Sequence, residues 1–375
     1  MIQSNSISST GYSNLKNRFI ISGGGTGGHI FPAIAIARAI QLQNPTAEIL
    51  FVGALGKMEM EKVPEAGFAI KGITIAGFNR SKLLENWKLP FQLLKSFWQV
   101  KTIFSDFRPD AVIGVGGYAS FPVVRYAQFK GIDNYIHESN SYAGKANIWL
   151  GKKATAIFVG TAGMERFFPA HTVIVSGNPV RQEIEFPTET REAALQFFGL
   201  TAAVPVVLIM GGSLGARSIN EAVAGRLATL AQQVQIIWQT GKNDSKRYLE
   251  LASGYPSVFV SEFITRMDMA YLAADIIVSR SGAMSVAEIC MSGKPSILVP
   301  YPLAAEDHQT ANAAYLSNQH AAFLIADAKA GDEMVTQILS LAADRELQKN
   351  MGTTAAALAI HQAGKTIAQF ILNNQ

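Results

Sequence analysis

The sequence is short of cysteine and of charge, and each shortage closes off a class of protein. Cys290 is its single cysteine. One thiol cannot close an internal disulfide, which points to a reducing compartment. Charged residues make up only 16% of the chain against 49% hydrophobic, a balance that excludes general disorder and supplies a large core. No stretch approaches the roughly 18 continuous apolar residues of a membrane-crossing helix. Zinc-finger spacings and long Lys/Arg blocks are missing, so nucleic acid is a poor fit. The net charge of +4 and the pI near 9.0 are mild. They allow an anionic partner, such as a phosphorylated substrate or a lipid surface, without requiring one. Residues 1–17 are polar and Ser/Asn-rich, lack the charged-then-apolar order of a secretory signal, and are expected to form a loose leader.

What the chain has in plenty is glycine, 32 residues in 375, which predicts many tight turns and close backbone approaches. The length suits two domains. Short apolar runs alternate with helical patterns: Phe19-Ile20-Ile21, Ile49 to Val52, Ala111 to Ile113, Tyr135-Ile136 and Ala156 to Val159 read as strands, with Ile30 to Leu42 as the first helix. Such continuous runs suit strands buried on both faces of a parallel sheet, joined by right-handed crossovers. The pattern restarts at Pro205 to Met210, a helix over Ile219 to Leu230, and strands at Gln235 to Trp238, Ile276 to Val278 and Ser296 to Val299. The expected class is α/β, with two doubly wound domains at 18–181 and 182–354 and a hinge near Gly177 to Thr190. A final helix over about 355–372 fits packing on either domain by its spacing, and it is assigned to the first.

Glycine turns mark the candidate sites. Gly23 to Gly28 lies between a strand and a helix, where backbone N–H groups and a helix N-terminus favour an anion. It lacks the Gly-Lys-Ser/Thr of a P-loop. It is not a clean dinucleotide fingerprint either, since Glu48 precedes the second strand instead of following it. His29, in the first helical turn, can take a proton from an attacking hydroxyl or can position an acceptor. Gly114 to Tyr118 is a second turn of this kind, suited to a diphosphate, or a tight turn only. Glu138, after Tyr135-Ile136, can act as a base or orient its neighbours, and Asn140 can bond sugar hydroxyls. In the second half, N–H groups from Ala283 onward would face a phosphate, and Glu288 could accept from a ribose diol. Gln309 and Asn312 share a helix face and can read sugar hydroxyls. The acids Glu306 and Asp307 give no metal-ligand geometry, and Cys290 is read as packing.

Four segments occur in order: Gly-Gly-Thr-Gly-Gly-His-Ile-Phe-Pro (24–32), Gly-Asn-Pro-Val-Arg (177–181), Gly-Gly-Ser-Leu-Gly-Ala (211–216) and Arg-Ser-Gly-Ala-Met-Ser-Val-Ala-Glu (280–288). From about Arg18 onward the chain resembles the MurG family of glycosyltransferases, which complete the lipid II precursor of bacterial peptidoglycan. The resemblance implies a GT-B fold, two Rossmann-like domains facing across a cleft. It implies inverting transfer of N-acetylglucosamine from UDP-N-acetylglucosamine to the MurNAc 4-hydroxyl of undecaprenyl-diphospho-MurNAc-pentapeptide (lipid I), with a β-1,4 linkage formed. It implies neither a cofactor nor a protein-bound metal. Donor contacts carry over to Thr26, Gly27, Gly28, Asn140, Arg181, Ser213, Ile264, Ala283, Met284, Ser285, Val286, Ala287, Glu288 and Gln309. Ile264 would meet uracil through its backbone, Glu288 the ribose and Gln309 the sugar. His29 is the expected catalytic residue and Glu138 the second candidate. The chain departs from the family at Ser139, where Gln is usual, and at Leu214, where many relatives carry Gln.

Residues 78–101 combine Phe78, Leu83, Leu84, Trp87, Phe91, Leu94, Phe97 and Trp98 with Arg80, Lys82, Lys88, Lys95 and Lys101. Such a segment can lie on an anionic leaflet, although most amphipathic helices face a core. With the resemblance, the chain is expected at the cytoplasmic face of the bacterial cell membrane as a peripheral protein, with other cell-wall enzymes as further partners. The competing readings are a UDP-N-acetylglucosamine 2-epimerase and a non-enzymatic nucleotide-sugar sensor.

Overall fold

The computed structural model describes residues 16–75, 87, 89–212 and 214–374. The apolar runs become strands with both faces covered. In the first half these are β1 (Arg18–Ser22), β2 (Glu48–Ala54), β3 (Ala69–Ile73), β4 (Ala111–Gly114), β5 (Asp133–Glu138), β6 (Ala156–Val159) and β7 (Val173–Val175). They form a seven-stranded sheet in the order β3-β2-β1-β4-β5-β6-β7. Phe19, Ile20 and Ile21 are all fully buried although successive residues point to opposite faces, so helices must cover both sides.

The second half holds β8 (Val206–Met210), β9 (Gln235–Gln239), β10 (Val258–Ser261), β11 (Ile276–Ser279), β12 (Ser296–Leu298) and β13 (Ala322–Leu324), in the order β10-β9-β8-β11-β12-β13. Its pairings are parallel. Alternation along β8 divides the interior: Val206, Leu208 and Met210 enter one core cluster, Val207 and Ile209 the other. Four strands do not stand out in the sequence, β3, β7, β10 and β13, and each is a sheet edge. An edge strand is incompletely covered and carries a weaker apolar signal.

Both sheets reverse their strand order beside the first strand of the half, between β1 and β4 and between β8 and β11. Loops leaving the C-terminal ends of those strands flank a crevice, the usual ligand site in open α/β sheets. The glycine turns 23–28 and 114–118 leave β1 and β4, and the turns 211–215 and 280–282 leave β8 and β11.

By internal contacts the chain forms two compact units, Met1–His137 with Trp149–Ile157 and Gly364–Gln375, and Glu138–Ile148 with Phe158–Ala363. The helix expected over Ile219 to Leu230 is two, Arg217–Gly225 and Leu227–Ala231, parted where Arg226 leaves helical geometry at φ −129°. The last helix runs Ala363–Asn373, while residues 355–357 close the helix Arg345–Ala357. In the first unit, Lys16 lies 2.5 Å from Asp133, donates to the Tyr135 hydroxyl at 3.1 Å and to the Asn374 carbonyl, and Tyr135 meets Phe370 edge-on. These contacts fasten the C-terminal helix to β5.

The helix Leu89–Phe107 buries Ser96, Val100 and Phe104 and leaves Phe91, Leu94 and Trp98 exposed. Residues 91, 94 and 98 fall on one helical stripe. Phe97, Trp98 and Lys101 join Arg125, Tyr126 and the exposed Phe129 around a groove of about 350 Å³. Phe78, Arg80, Lys82, Leu83, Leu84 and Lys88 lie outside the described residues. Among the described residues no helix is long and apolar enough to cross a membrane.

Candidate active site

In the first unit the site is made by backbone packing. The helix Gly27–Gln43 starts at Thr26, whose carbonyl accepts from the N–H groups of His29 and Ile30 at 3.1 and 3.2 Å. Thr26 and Gly28 are exposed, and Gly27 and His29 half-buried. A Cβ at Gly117, where φ is +82°, would stand 2.3 Å from the Gly24 carbonyl oxygen, and one at Gly116 would stand 2.7 Å from the His29 ring. The two turns are therefore in direct contact, and glycine at 116 leaves room for the His29 imidazole. Ser120 ties the same turns, its hydroxyl lying 2.6 Å from the Ser22 carbonyl oxygen and 2.9 Å from that of Gly116.

Behind the loop sits Glu59, buried, which sequence reasoning did not find. Its carboxylate accepts from the Gly25 N–H at 2.8 Å and the Ala54 N–H at 2.9 Å. It fills the space that a side chain at Gly24 or Gly53 would need, with approaches of 2.2 and 2.5 Å. Three glycines in a row leave the turn with high conformational freedom, and the carboxylate fixes it.

The second unit builds its site from side chains. Arg181 donates from Nε and Nη2 to Glu288 Oε1 at 3.1 and 3.0 Å, and the Tyr271 hydroxyl donates to Glu288 Oε2 at 3.0 Å. Two residues predicted separately, Arg181 and Glu288, thus form one ion pair, and Tyr271 is added to them. Burial works against the Arg181 charge, but Glu288, with Tyr271 and Glu183, outweighs it and raises the guanidinium above its ordinary value. Burial and the adjacent carboxylate push the Tyr271 hydroxyl well above the usual phenol range, so it stays a proton donor.

Glu288 is on the helix Ala283–Ser292, which starts after an extended Gly282 with no side-chain cap. Val286 donates its N–H to Gly282 at 3.0 Å and turns its side chain into the core, so the first turn offers the N–H groups of Ala283, Met284 and Ser285. These donors and the helix dipole suit a phosphate. Ala287 is half-buried. Cys290 packs in the core, where burial pushes its thiol up to about 12; at neutral pH it is inert.

The loop after β5 is organised by Glu138. One carboxylate oxygen accepts from the backbone and side-chain nitrogens of Asn140 at 3.0 and 3.1 Å, the other from Gly144 N–H at 3.0 Å and Asn147 Nδ2 at 2.9 Å. With both oxygens doubly engaged and the residue buried, the carboxylate orients the loop. Asn312, also buried, accepts from Ser141 N–H at 2.9 Å and donates to the Ser281 carbonyl at 3.1 Å and Asn140 Oδ1 at 3.4 Å. Ser281 in turn donates to the Gln309 carbonyl at 2.8 Å.

Gln309 accepts the Tyr301 N–H on its Oε1 at 2.9 Å, and its NH₂ end is a hydrogen-bond donor. Ahead of its helix, Glu306 and Asp307 both adopt left-handed geometry, φ 49° and 52°, a strained pair of the sort found at ligand clamps. Ile264 is buried, and its N–H donates to Gln239 Oε1 at 3.0 Å. Ser213 lies outside the described residues, within a loop whose Leu214 is exposed and whose Gly215 is locked against Thr240 and Gly241.

Residues 19–159 match the glycosyltransferase family 28 N-terminal domain, and residues 206–368 match that family's C-terminal domain. The chain belongs to glycosyltransferase family 28. Curated relatives carry the name UDP-N-acetylglucosamine–N-acetylmuramyl-(pentapeptide) pyrophosphoryl-undecaprenol N-acetylglucosamine transferase. The one from Parabacteroides distasonis is 47% identical over 95% of this chain and 98% of its own length, and one from Porphyromonas gingivalis 48% identical over 96% of each. The crystal structure of Acinetobacter baumannii MurG covers 95% of this chain and 99% of its own, with a TM-score of 0.75 and 29% identity. The two Rossmann-like halves are thus the GT-B architecture of family 28. A UDP-N-acetylglucosamine 2-epimerase structure aligns at TM-score 0.64 but only 15% identity, over 96% of each chain, which shows a shared fold and nothing more.

Proposed function

We propose that the protein transfers N-acetylglucosamine from UDP-N-acetylglucosamine to the MurNAc 4-hydroxyl of lipid I, producing lipid II for peptidoglycan synthesis. The observation that carries this reading is the near-full-length identity to transferases of that name, through both halves of the chain. In the step, the acceptor oxygen attacks the anomeric carbon while the bond from that carbon to the UDP β-phosphate oxygen breaks, and the configuration inverts. The acceptor proton passes to His29. The N–H groups of Ala283 to Ser285, with Ser213 and its loop, take up the charge developing on the diphosphate. Glu288 and Arg181 hold the ribose side, the Ile264 carbonyl the uracil, and Gln309 and Asn140 the sugar, with Asn140 set in place by Glu138. Thr26, Gly27 and Gly28 supply the anion-compatible turn beside His29.

The acceptor is handled by residues 18–181 with the C-terminal helix, the donor by 182–354 together with Asn140 and Arg181. The exposed Phe91, Leu94, Trp98 and Phe129, with Lys101 and Arg125, support an apolar, cationic surface that rests on an anionic cytoplasmic leaflet, where other cell-wall enzymes work. Radiolabelled UDP-N-acetylglucosamine with lipid I tests the central reaction. Label moving into the lipid fraction is the expected result. Release of free epimer, or nucleotide binding without turnover, would reject it.

A further inference from the structure

Tyr271 lies on the helix Met267–Ala273 and belongs to the buried apolar cluster that also holds Met210, Ala270, Ile289 and Cys290. A phenylalanine would fill that space equally well. A buried tyrosine hydroxyl needs a partner, and this one reaches Glu288 Oε2 at 3.0 Å, with the Met210 sulfur at 3.9 Å as its other neighbour. The carboxylate torsion of a glutamate is broad. Arg181 places both of its donors on Oε1 and so fixes one oxygen, about which the other could swing. The Tyr271 hydroxyl stops that swing.

We propose that Tyr271 is a positioning residue that sets the sugar selectivity of the donor nucleotide: it locks the plane of Glu288 so that the acceptor site left open on Oε2 faces the ribose 2′-hydroxyl, which disfavours a deoxyribose. The inference rests on the donor-site reading of Glu288 given above. Arg181 takes both acceptor sites of Oε1 and Tyr271 one on Oε2, so one site remains; a ribose 2′-hydroxyl can donate to it, and 2′-deoxyribose has no hydroxyl there. Discrimination then depends on carboxylate orientation, which the helix backbone alone does not determine.

Calorimetric titration of the full-length protein with UDP and with 2′-deoxy-UDP tests this. The wild type binds UDP more tightly. Tyr271→Phe is expected to weaken UDP binding about tenfold, because the freed carboxylate no longer holds its charge-assisted bond to the 2′-hydroxyl, while 2′-deoxy-UDP binding stays nearly constant, so the preference collapses. A purely structural hydroxyl would weaken both nucleotides equally, and equal losses, or none, overturn the proposal. Wild-type protein that binds neither nucleotide sinks the donor-site reading itself, and this proposal with it. Should Tyr271→Phe fail to fold, 3-fluorotyrosine placed at position 271 keeps ring and hydroxyl and changes only donor strength. The ratio of the two affinities must shift there as well, and an unchanged ratio counts against the proposal.

Discussion

The two crevices solve the same problem with different materials. In the first unit, the turns after β1 and β4 touch glycine to glycine, and a single buried carboxylate, Glu59, ties the loop from behind. In the second, side chains tie together the turn after β11 and the helices around it: Arg181 and Tyr271 on Glu288, Asn312 on Ser281, Ser281 on Gln309. A site shaped by backbone leaves open surface beside His29, which suits a bulky lipid-linked acceptor. A site lined by oriented amides and carboxylates reads hydroxyls one by one, which suits a nucleotide sugar. The contrast makes a definite demand. Damage to the first crevice should abolish transfer and spare UDP binding, and damage to the second should move UDP binding.

The largest expected effect is at His29. With proton removal from the acceptor lost, His29→Ala should lower kcat about a thousandfold at saturating lipid I, with calorimetric UDP affinity unchanged. Near-normal turnover would end its role as base and reduce the first crevice to a cradle. Next comes Gly117→Ala. The added methyl meets the Gly24 carbonyl at 2.3 Å on a backbone held at φ +82°, and no flexible side chain is there to yield. Pushing the turn aside displaces His29, and transfer should fall about a hundredfold, again with normal UDP binding. A parallel loss of UDP affinity would mean that the two crevices are not separable in this way.

How much of this could be read beforehand follows from the same physics. Interior strands such as Phe19-Ile20-Ile21 and Val206 to Met210 are apolar on both faces and stand out, whereas the edges β3, β7, β10 and β13 do not. Glycine turns announced both crevices, because only glycine tolerates the approaches found at residues 117 and 215. What stayed hidden were partners distant in sequence. Tyr271 reads as one more core aromatic on a short helix, Glu59 as one acid in an exposed-looking run, and Gln239 as the end of a strand. Their roles come from where the fold brings their polar atoms. Glu138 illustrates the converse: its type and place suggested a base, but four donors already occupy its oxygens.

Asn312 gives the smallest of these effects and the sharpest test of the side-chain-built crevice. Buried in the helix His308–Ser317, it accepts from Ser141 N–H and donates to the Ser281 carbonyl and Asn140. Asn312→Ala leaves a backbone donor and acceptor without these partners and should lower stability by about 2 kcal/mol in urea denaturation. Asn312→Asp separates the two halves of the role, since it keeps the acceptor for Ser141 and removes both donors. If Asn140 and Gln309 are oriented through Asn312, Asn312→Asp should weaken UDP-N-acetylglucosamine more than UDP, because only the former carries the sugar they read. Equal weakening would show that the amide merely braces the fold, and that the second crevice, like the first, is shaped chiefly by backbone.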